Sequence, residues 1–192
     1  MLTYTAFEGF KRLSRGDIET VALDVAKHLK KNSSASVLIF SDSSGKQMDL
    51  DLSGSERDII GRLKVFATPE ASTASGPGRP KLGVVSREVS LLPQHWEWLA
   101  TQTGGASATI RRLVDEKMKA PLNEKDRAKQ AQESAYRFLT AIAGNLPNFE
   151  EAIRYMYRRD KKKFKTLVAE WPSDLLDHTM ILTEAVFSQE SK

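Results

Sequence analysis

The sequence contains no cysteine, and this absence excludes several kinds of chemistry. The chain can form no disulfide, no thiolate zinc site and no CxxC redox centre, and it has no thiol nucleophile. Apart from surface acids, none of its three histidines, His28, His95 and His178, has a partner at the spacing of a helical metal site. The patterns GxSxG, GxxxxGKS/T and GxGxxG are also missing. We therefore expect no metal, no cofactor and no enzymatic activity.

Long apolar runs are missing as well, because none approaches the ~20 residues that a membrane-spanning helix needs. The first residues, MLTYTAFEGFKRL, lack the basic start and apolar centre of a signal peptide. The chain has 192 residues, of which 40% are hydrophobic and 28% charged, a balance that is typical of globular domains with a real core. These features predict a cytoplasmic protein without membrane contact.

Proline, glycine and serine are concentrated in one segment, ATPEASTASGPGRP at 67–80, which predicts a flexible linker. Around it we predict an α+β protein with a small β-rich mixed domain over 1–66, a strand-helix-helix unit over 81–121 and a mostly helical region over 122–192.

The first region combines strand and helix patterns. Strands are predicted at 2–7, 10–13, 36–41 and 47–52. An apolar face at helical spacing from Ile18 to Leu29 predicts a helix with Asp17 in its first turn. Ser55 and Asp58 have the spacing of a capping box and predict the start of a second helix.

Asp49 and Asp51 lie at i and i+2 of the strand predicted at 47–52, so both carboxylates point to one face and could share a cation. Their alternation with Met48, Leu50 and Leu52 equally fits the solvated face of a half-buried strand. We favour the second interpretation.

The segment after the linker begins with a strand predicted at 87–92. Pro93 suits the first turn of a helix that carries Trp96 on its core side and stops at Gly104-Gly105. Ser107 is predicted to cap the next helix. Further helices are predicted to begin near Asn123, Asn148, Asp160 and Ser173.

Two features of this central segment resemble DNA-binding modules. GPGRPKLG at 76–83 resembles an AT-hook, in which Arg79 and Lys81 would enter a narrow minor groove, although a plain linker remains the alternative. Residues 86–119 resemble a ribbon-helix-helix module, whose strands pair between two chains and enter the major groove. Ser90 would then face DNA, and the backbone amides near Ser107 would hold a phosphate. Side chains alternate along a strand, and by this alternation Arg87 would point away from the DNA. The alternative is an ordinary strand and helical hairpin.

A third basic feature is RYMYRRDKKKFK at 154–165, with a net charge of +6 in a chain whose total is +4. Such a cluster could neutralise phosphates while its aromatic residues stack on bases. Alternatively Tyr157 and Phe164 are core residues and the charges form the solvated turn between two helices.

Three segments together resemble the uncharacterised bacterial family DUF2239. They are GRPKLGVVSREVSLLPQHWEWLATQTGGAS at 78–107, VLIFSDSSGKQMDLDLSGS at 37–55 and AYRFLTAIAGNLPNFEEAIRY at 135–155. The resemblance covers most of the chain and implies bacterial origin and a shared architecture. It implies no activity, catalytic residue or cofactor.

The leading hypothesis is a nucleic-acid-binding regulator that acts as a homodimer on DNA or RNA. The alternative is a non-enzymatic adaptor that binds an acidic protein partner. The predicted nucleic-acid contacts are Arg79, Lys81, Arg87, Ser90, Ser107, Arg158, Arg159, Lys161, Lys162 and Lys163.

Overall fold

A four-stranded antiparallel sheet and a larger set of helices make up the protein, and the α+β class is confirmed. The computed structural model describes residues 2–67 and 87–188. Its strands are β1 (Tyr4–Glu8), β2 (Lys11–Gly16), β3 (Val37–Ser41) and β4 (Gln47–Met48). Its helices are α1 (Ile18–Lys31), α2 (Glu56–Ala67), α3 (Pro93–Ala100), α4 (Gly105–Lys119), α5 (Glu124–Ile142), α6 (Phe149–Tyr157), α7 (Lys161–Val168) and α8 (Ser173–Phe187). No helix among these residues is long and apolar enough to cross a bilayer.

The local signals for helix starts are confirmed where a side chain can satisfy the first amides. Asp17 caps α1, and its Oδ1 accepts from the backbone N–H of Thr20 at 3.0 Å. Ser55 and Asp58 form the expected reciprocal box, since the Ser55 N–H donates to Asp58 Oδ2 at 2.9 Å and the Asp58 N–H donates to Ser55 Oγ at 3.3 Å. Pro93 opens α3, where its missing N–H costs nothing.

The strand predicted at 47–52 is shorter than its alternating pattern suggests. Only Gln47–Met48 pairs with β3, and residues 49–52 leave the sheet. The reason is local, because Asp51 Oδ1 accepts from both the backbone N–H and the hydroxyl of Ser53, which turns the chain toward α2. Leu50 and Leu52 still pack on the apolar cluster beneath α1.

The sheet has strand order β2-β1-β3-β4 and is covered on both faces. Ala6 and Ile39 face α1, where they pack with Val21 and Val25. Their neighbours Phe7 and Phe40 point to the opposite face and join the core formed by the C-terminal helices. Burial on both faces explains why VLIFS in β3 is a continuous apolar run rather than an alternating one.

The chain divides into two units that are not continuous in sequence. Residues 1–69 and 124–192 form one unit, and residues 70–123 form the other. The regions that the sequence separates as 1–66 and 122–192 therefore contribute to one core. The physical reason is the second apolar face of the sheet, which residues from α5 and α8 cover.

The loop between β3 and β4 packs closely against α5. Gly45 has φ +65°, and a Cβ at this position would lie 1.9 Å from the backbone oxygen of Ser134 in α5. The Ser134 hydroxyl donates to the carbonyl of Asp42 at 2.9 Å, and Arg137 Nη1 donates to the carbonyl of Ser44 at 3.2 Å. Only glycine satisfies both the backbone angle and this approach.

We expect Gly45→Ala to lower the free energy of unfolding by about 3–5 kcal/mol, because it combines a left-handed backbone with a severe overlap on α5. Urea unfolding followed by circular dichroism measures the loss. Gly9→Ala is the matched control, since Gly9 has φ +56° but nothing within 4 Å of its added Cβ. The control should cost about 1–2 kcal/mol. Equal losses in the two variants would show that the approach of the loop to α5 is unimportant.

Candidate functional site

The strongest concentration of positive charge lies between α6 and α7, and we call residues 154–165 the α6–α7 basic segment. Arg158 ends α6, Arg159 has a left-handed φ of 59°, and Asp160 caps α7 by accepting from the Lys163 N–H at 3.0 Å. The single acid of the segment is thus occupied at a helix start. Six of its basic side chains are exposed, namely Arg154, Arg158, Lys161, Lys162, Lys163 and Lys165.

The aromatic residues of this segment have three different environments. Phe164 is buried in the helical core, as predicted. Tyr155 is half-buried, with the Arg158 guanidinium 5.6 Å and the Lys163 ammonium 4.9 Å from its ring centroid, so the ring stabilises two of the cations. The prediction that Tyr157 is a core residue is wrong, because 48% of it is exposed.

Tyr157 has an exposed aromatic neighbour from α5. Its ring meets that of Tyr136 edge to face, with centroids 6.1 Å apart, and both rings are more than 40% exposed. Partial burial is the largest cause that raises the pKa of Tyr157. Tyr157 directly precedes Arg158 in sequence, so aromatic surface and positive charge adjoin here.

The second unit presents α3 and α4 as a helical hairpin preceded by an extended segment. Residues 87–92 form no strand in this single chain, in contrast to the prediction. A strand needs a pairing partner, and no strand of the described part of this unit offers one. Arg87 and Ser90 are both exposed.

Ser107 does not cap α4, contrary to the prediction. The helix begins two residues earlier, at Gly105, with Gly104 as its N-cap residue at φ 89°. Glycine adopts this left-handed angle without strain, so the chain turns before Ser107 is reached. Ser107 is therefore an exposed residue in the first turn of α4.

Much of the apolar surface of the α3–α4 hairpin is exposed. Leu99 is the one fully buried apolar residue in the described part of this unit. Trp96 is 45% exposed, so its predicted core position is wrong for this single chain. A wholly apolar groove of about 260 Å³ runs along the hairpin, lined by Leu91, His95, Trp98, Leu99, Ile110 and Leu113. Val89, Leu92, Val114 and Met118 are also exposed.

Two predicted contacts, Arg79 and Lys81, lie outside the described residues. The remaining predicted residues fall into separate groups. Arg158, Arg159, Lys161, Lys162 and Lys163 come together in the α6–α7 basic segment of the first unit, whereas Arg87, Ser90 and Ser107 belong to the second.

The Asp49 and Asp51 pair forms no shared carboxylate site. Asp49 is exposed beyond the end of β4, and Asp51 is engaged by Ser53 and by Arg62, whose Nε lies 3.4 Å from Asp51 Oδ2. The hydrogen bonds from Ser53 are the main cause that lowers the pKa of Asp51. Within 2–67 and 87–188, no group of three or more histidine, aspartate or glutamate side chains is placed to hold a metal ion.

A polar cluster that the sequence analysis missed lies where the sheet meets the C-terminal helices. Asp42 follows β3, and its side chain is only 8% exposed. Its Oδ2 accepts from the Thr3 hydroxyl at 2.8 Å and from Arg15 Nε at 3.1 Å, and its Oδ1 accepts from the Thr5 hydroxyl at 2.8 Å. The carboxylate is thus fully satisfied by residues of β1, β2 and the start of the chain.

His178 of α8 lies behind this carboxylate and is completely buried. Its ring packs against Phe7 and Phe138, with centroids 5.5 and 4.8 Å away, and neither ring nitrogen has a hydrogen-bond partner among the described residues. Nε2 lies 3.6 Å from Asp42 Oδ1. Burial lowers the pKa of His178 to about 4 and outweighs the nearby Asp42, which acts to raise it. The ring is therefore neutral at pH 7.

No local signal in the sequence could have assembled this cluster. Asp42 and His178 are 136 positions apart, and a lone histidine on an apolar helix face is the usual pattern of a core residue. The one available indication is the polar run SDSSGK directly after a buried strand, which marks residues that end a strand beside the core.

Comparisons with known proteins give one match. The family model described as "Uncharacterized protein conserved in bacteria (DUF2239)" matches residues 3–183. The chain belongs to the DUF2239 family. The family resemblance of the three sequence segments is thereby confirmed, whereas the ribbon-helix-helix likeness is not. No curated protein and no solved structure matches the DUF2239 chain.

We expect the DUF2239 protein to lose stability as the pH falls from about 6.5 to about 4. In this window the unfolded chain binds a proton at His178 that the folded chain excludes, so the free energy of unfolding should fall by about 3 kcal/mol. His178→Leu should remove this part of the pH dependence, as measured by urea unfolding at several pH values. His95→Gln is the control, because His95 is exposed. An unchanged slope in His178→Leu would contradict the assignment.

Proposed function

We propose that this DUF2239 protein binds nucleic acid and that the α6–α7 basic segment is the surface that neutralises the phosphates. The observation that carries the proposal is the combination, within this short segment, of six exposed basic side chains and an exposed tyrosine. Surface cations displace condensed counterions from a nucleic acid, which supplies affinity without sequence preference.

The acids near the segment cancel only part of its charge. Asp160 is held at the start of α7, and Glu151 pairs with Arg154 at 2.5 Å. Lys162 and Lys165 have no ion-pair partner among the described residues, so their ammonium groups are available to phosphate oxygens. A positive field of this kind also raises the rate of encounter with a polyanion.

The exposed Tyr136 and Tyr157 rings favour nucleic acid over a simple acidic protein surface. Every base has a flat face that stacks on an aromatic ring, and such stacking is worth about 1–3 kcal/mol per base. Tyr157 adjoins Arg158, so a base and its phosphate would have neighbouring contacts.

The strand-helix-helix unit would supply a second contact as a homodimer. A second copy pairs its extended residues 87–92 with the same residues of the first, which satisfies the backbone groups of both and covers the apolar side chains around Leu92. Arg87 and Ser90 would lie on this ribbon, and Ser107 would lie near a phosphate at the start of α4. Arg79 and Lys81 are proposed as further contacts to the nucleic acid.

We expect the double change Lys162→Gln and Lys165→Gln to weaken duplex DNA binding several-fold. The slope of log affinity against log salt should become shallower by up to about 2, because two phosphate contacts are lost. Fluorescence anisotropy over a salt series measures both quantities, with single-stranded RNA as a parallel probe.

The matched control for this test is Lys30→Gln with Lys31→Gln, which removes the same charge from the exposed end of α1. The control should leave the salt slope unchanged. Equal losses would show that only net charge matters, and no loss in either would overturn the proposal for this segment. The double change Arg79→Ala with Lys81→Ala tests the segment 76–83 separately. Unchanged DNA affinity in this variant would mean that the segment is only a linker.

We expect the protein to be a dimer in solution at micromolar concentration, with twice the 21.5 kDa chain mass. Light scattering measures this mass. Leu92→Glu should shift the protein to monomer, because it places a charge on an apolar surface that the second copy covers. Leu2→Glu, at a similarly exposed apolar residue of the first unit, should remain dimeric. A wild-type protein that is only monomeric would contradict the proposed pairing of residues 87–92 between two copies.

A protein-binding adaptor is the second candidate function, and the wholly apolar α3–α4 groove is the observation that favours it. A groove without polar lining suits an apolar helix or loop better than a phosphate backbone. Capture of a protein partner that persists after nuclease treatment, together with no measurable DNA or RNA affinity, would support this candidate over the first.

A further inference from the structure

Strand β2 contains a bulge that changes the faces on which its arginines lie. The register pairs Phe7 with Arg12 and Ala6 with Ser14, so Leu13 is an extra residue. Leu13 packs in the cluster under α1, and the Ser14 hydroxyl donates to Asp24 of α1 at 2.6 Å. Two successive residues therefore face α1, which brings Arg12 and Arg15 onto the opposite face together.

Arg15 is held in place by the buried carboxylate of Asp42. Its Nε donates to Asp42 Oδ2 at 3.1 Å, while the two hydroxyls of Thr3 and Thr5 orient the same carboxylate. The two Nη groups of Arg15 have no partner among the described residues. A guanidinium fixed through Nε presents its remaining donors as a rigid fork, which matches the oxygens of a phosphate or carboxylate.

Arg12 is anchored through its backbone rather than its side chain. Its N–H donates to Asp174 Oδ2 at the start of α8 at 3.0 Å. Its guanidinium has no hydrogen bond or ion pair within the described part of the chain. The anchored backbone limits where this guanidinium can reach, so its charge stays beside α8.

The two arginines line a groove between the sheet, α5 and α8. The groove has two adjoining hollows of about 350 and 470 Å³, and Arg15 and Ile181 line both. Residues at helical spacing form its walls. They are Arg127, Gln130, Ala131 and Ser134 from α5, and Asp177, Met180, Ile181 and Ala185 from α8.

The charges of the groove favour an anion in spite of two aspartates. Asp42 is already satisfied by two hydroxyls and Arg15, and the buried ring of His178 behind it is neutral at pH 7. Asp177 is exposed at the outer hollow. Arg12 and Arg15 line the outer hollow, while Arg15 and Arg127 line the inner one, so the lining of the two hollows together is net positive.

We propose that this groove, which no part of the nucleic-acid proposal uses, is a binding site for a small organic phosphate monoester. Arg12 and Arg15 bind the phosphate oxygens, and the Met180 and Ile181 side chains contact the apolar part of the ligand. The exposed Gln130 supplies an amide group for its other polar atoms. Cations beside a small apolar surface suit a ligand that has one anionic and one apolar part.

The test uses phenyl phosphate, inorganic phosphate and benzoate with the full-length chain. Titration calorimetry should show that phenyl phosphate binds more tightly than inorganic phosphate, because only the ester contacts Met180 and Ile181. Benzoate should bind more weakly than phenyl phosphate, because its carboxylate offers fewer oxygens to two arginines. Equal affinities for phenyl phosphate and benzoate would overturn the assignment to phosphate, and absent binding of all three would overturn the site.

Arg12→Gln is the main variant, since the Arg12 side chain makes no hydrogen bond or ion pair within the described residues. It should lower the affinity for phenyl phosphate about tenfold. Arg15→Lys keeps a cation beside Asp42 while removing the fork, and it should weaken binding similarly without unfolding the protein. Arg57→Gln removes one exposed charge from α2 and should have no effect. Equal losses in Arg12→Gln and Arg57→Gln would overturn the site.

The two proposals are separated by measuring duplex DNA affinity in the same variants. Arg12→Gln should leave DNA affinity at the level of Arg57→Gln, while the Lys162 and Lys165 change should leave phenyl phosphate affinity intact. If Arg12→Gln lowers the affinities for DNA and for phenyl phosphate in parallel, the groove is part of the nucleic-acid surface. This result would overturn a distinct small-molecule site.

Discussion

The architecture of the first unit depends on the docking of the β3–β4 loop against α5. The Gly45 backbone lies so close to the Ser134 carbonyl that no side chain fits between them, and the Ser134 hydroxyl binds the Asp42 carbonyl. This contact holds the end of β3 against a helix 92 positions later in the chain. Asp42 is thereby fixed beside His178, and the second face of the sheet is closed by the helices.

Local signals predict most helices but not this docking. The apolar period from Ile18 to Leu29 and the cap at Asp17 are contained in one short segment, so a single sequence reveals them. The role of Gly45 could not be predicted in this way, because its close neighbour in α5 leaves no pattern within the loop. Long-range packing is also the reason that the residues on either side of 70–123 share one core. The composition of the chain does not show this grouping.

The candidate sites show the same difference between local sequence signals and long-range packing. The α6–α7 basic segment was visible because its charges are consecutive, and the structure adds that its acid is occupied and that Tyr157 is exposed. The Asp42 and His178 cluster was invisible because its members come from β1, β2, β3 and α8. The bulge at Leu13 could not be predicted from the sequence either. A single extra residue in β2 reverses the face of Arg12, and no pattern of side chains indicates that residue.

The two units differ in how far they bury their own apolar surface. The first has a continuous core from Phe7 to Phe187, whereas Leu99 is the one buried apolar residue in the described part of the second. A helical hairpin with so small a core gains little stability from the burial of its own apolar side chains. Its exposed apolar side chains come from α3, α4 and the extended residues before them, so the second copy in the homodimer that we propose would contact all three. A two-fold axis would relate the two copies of this proposed dimer, so that each would use the same surface.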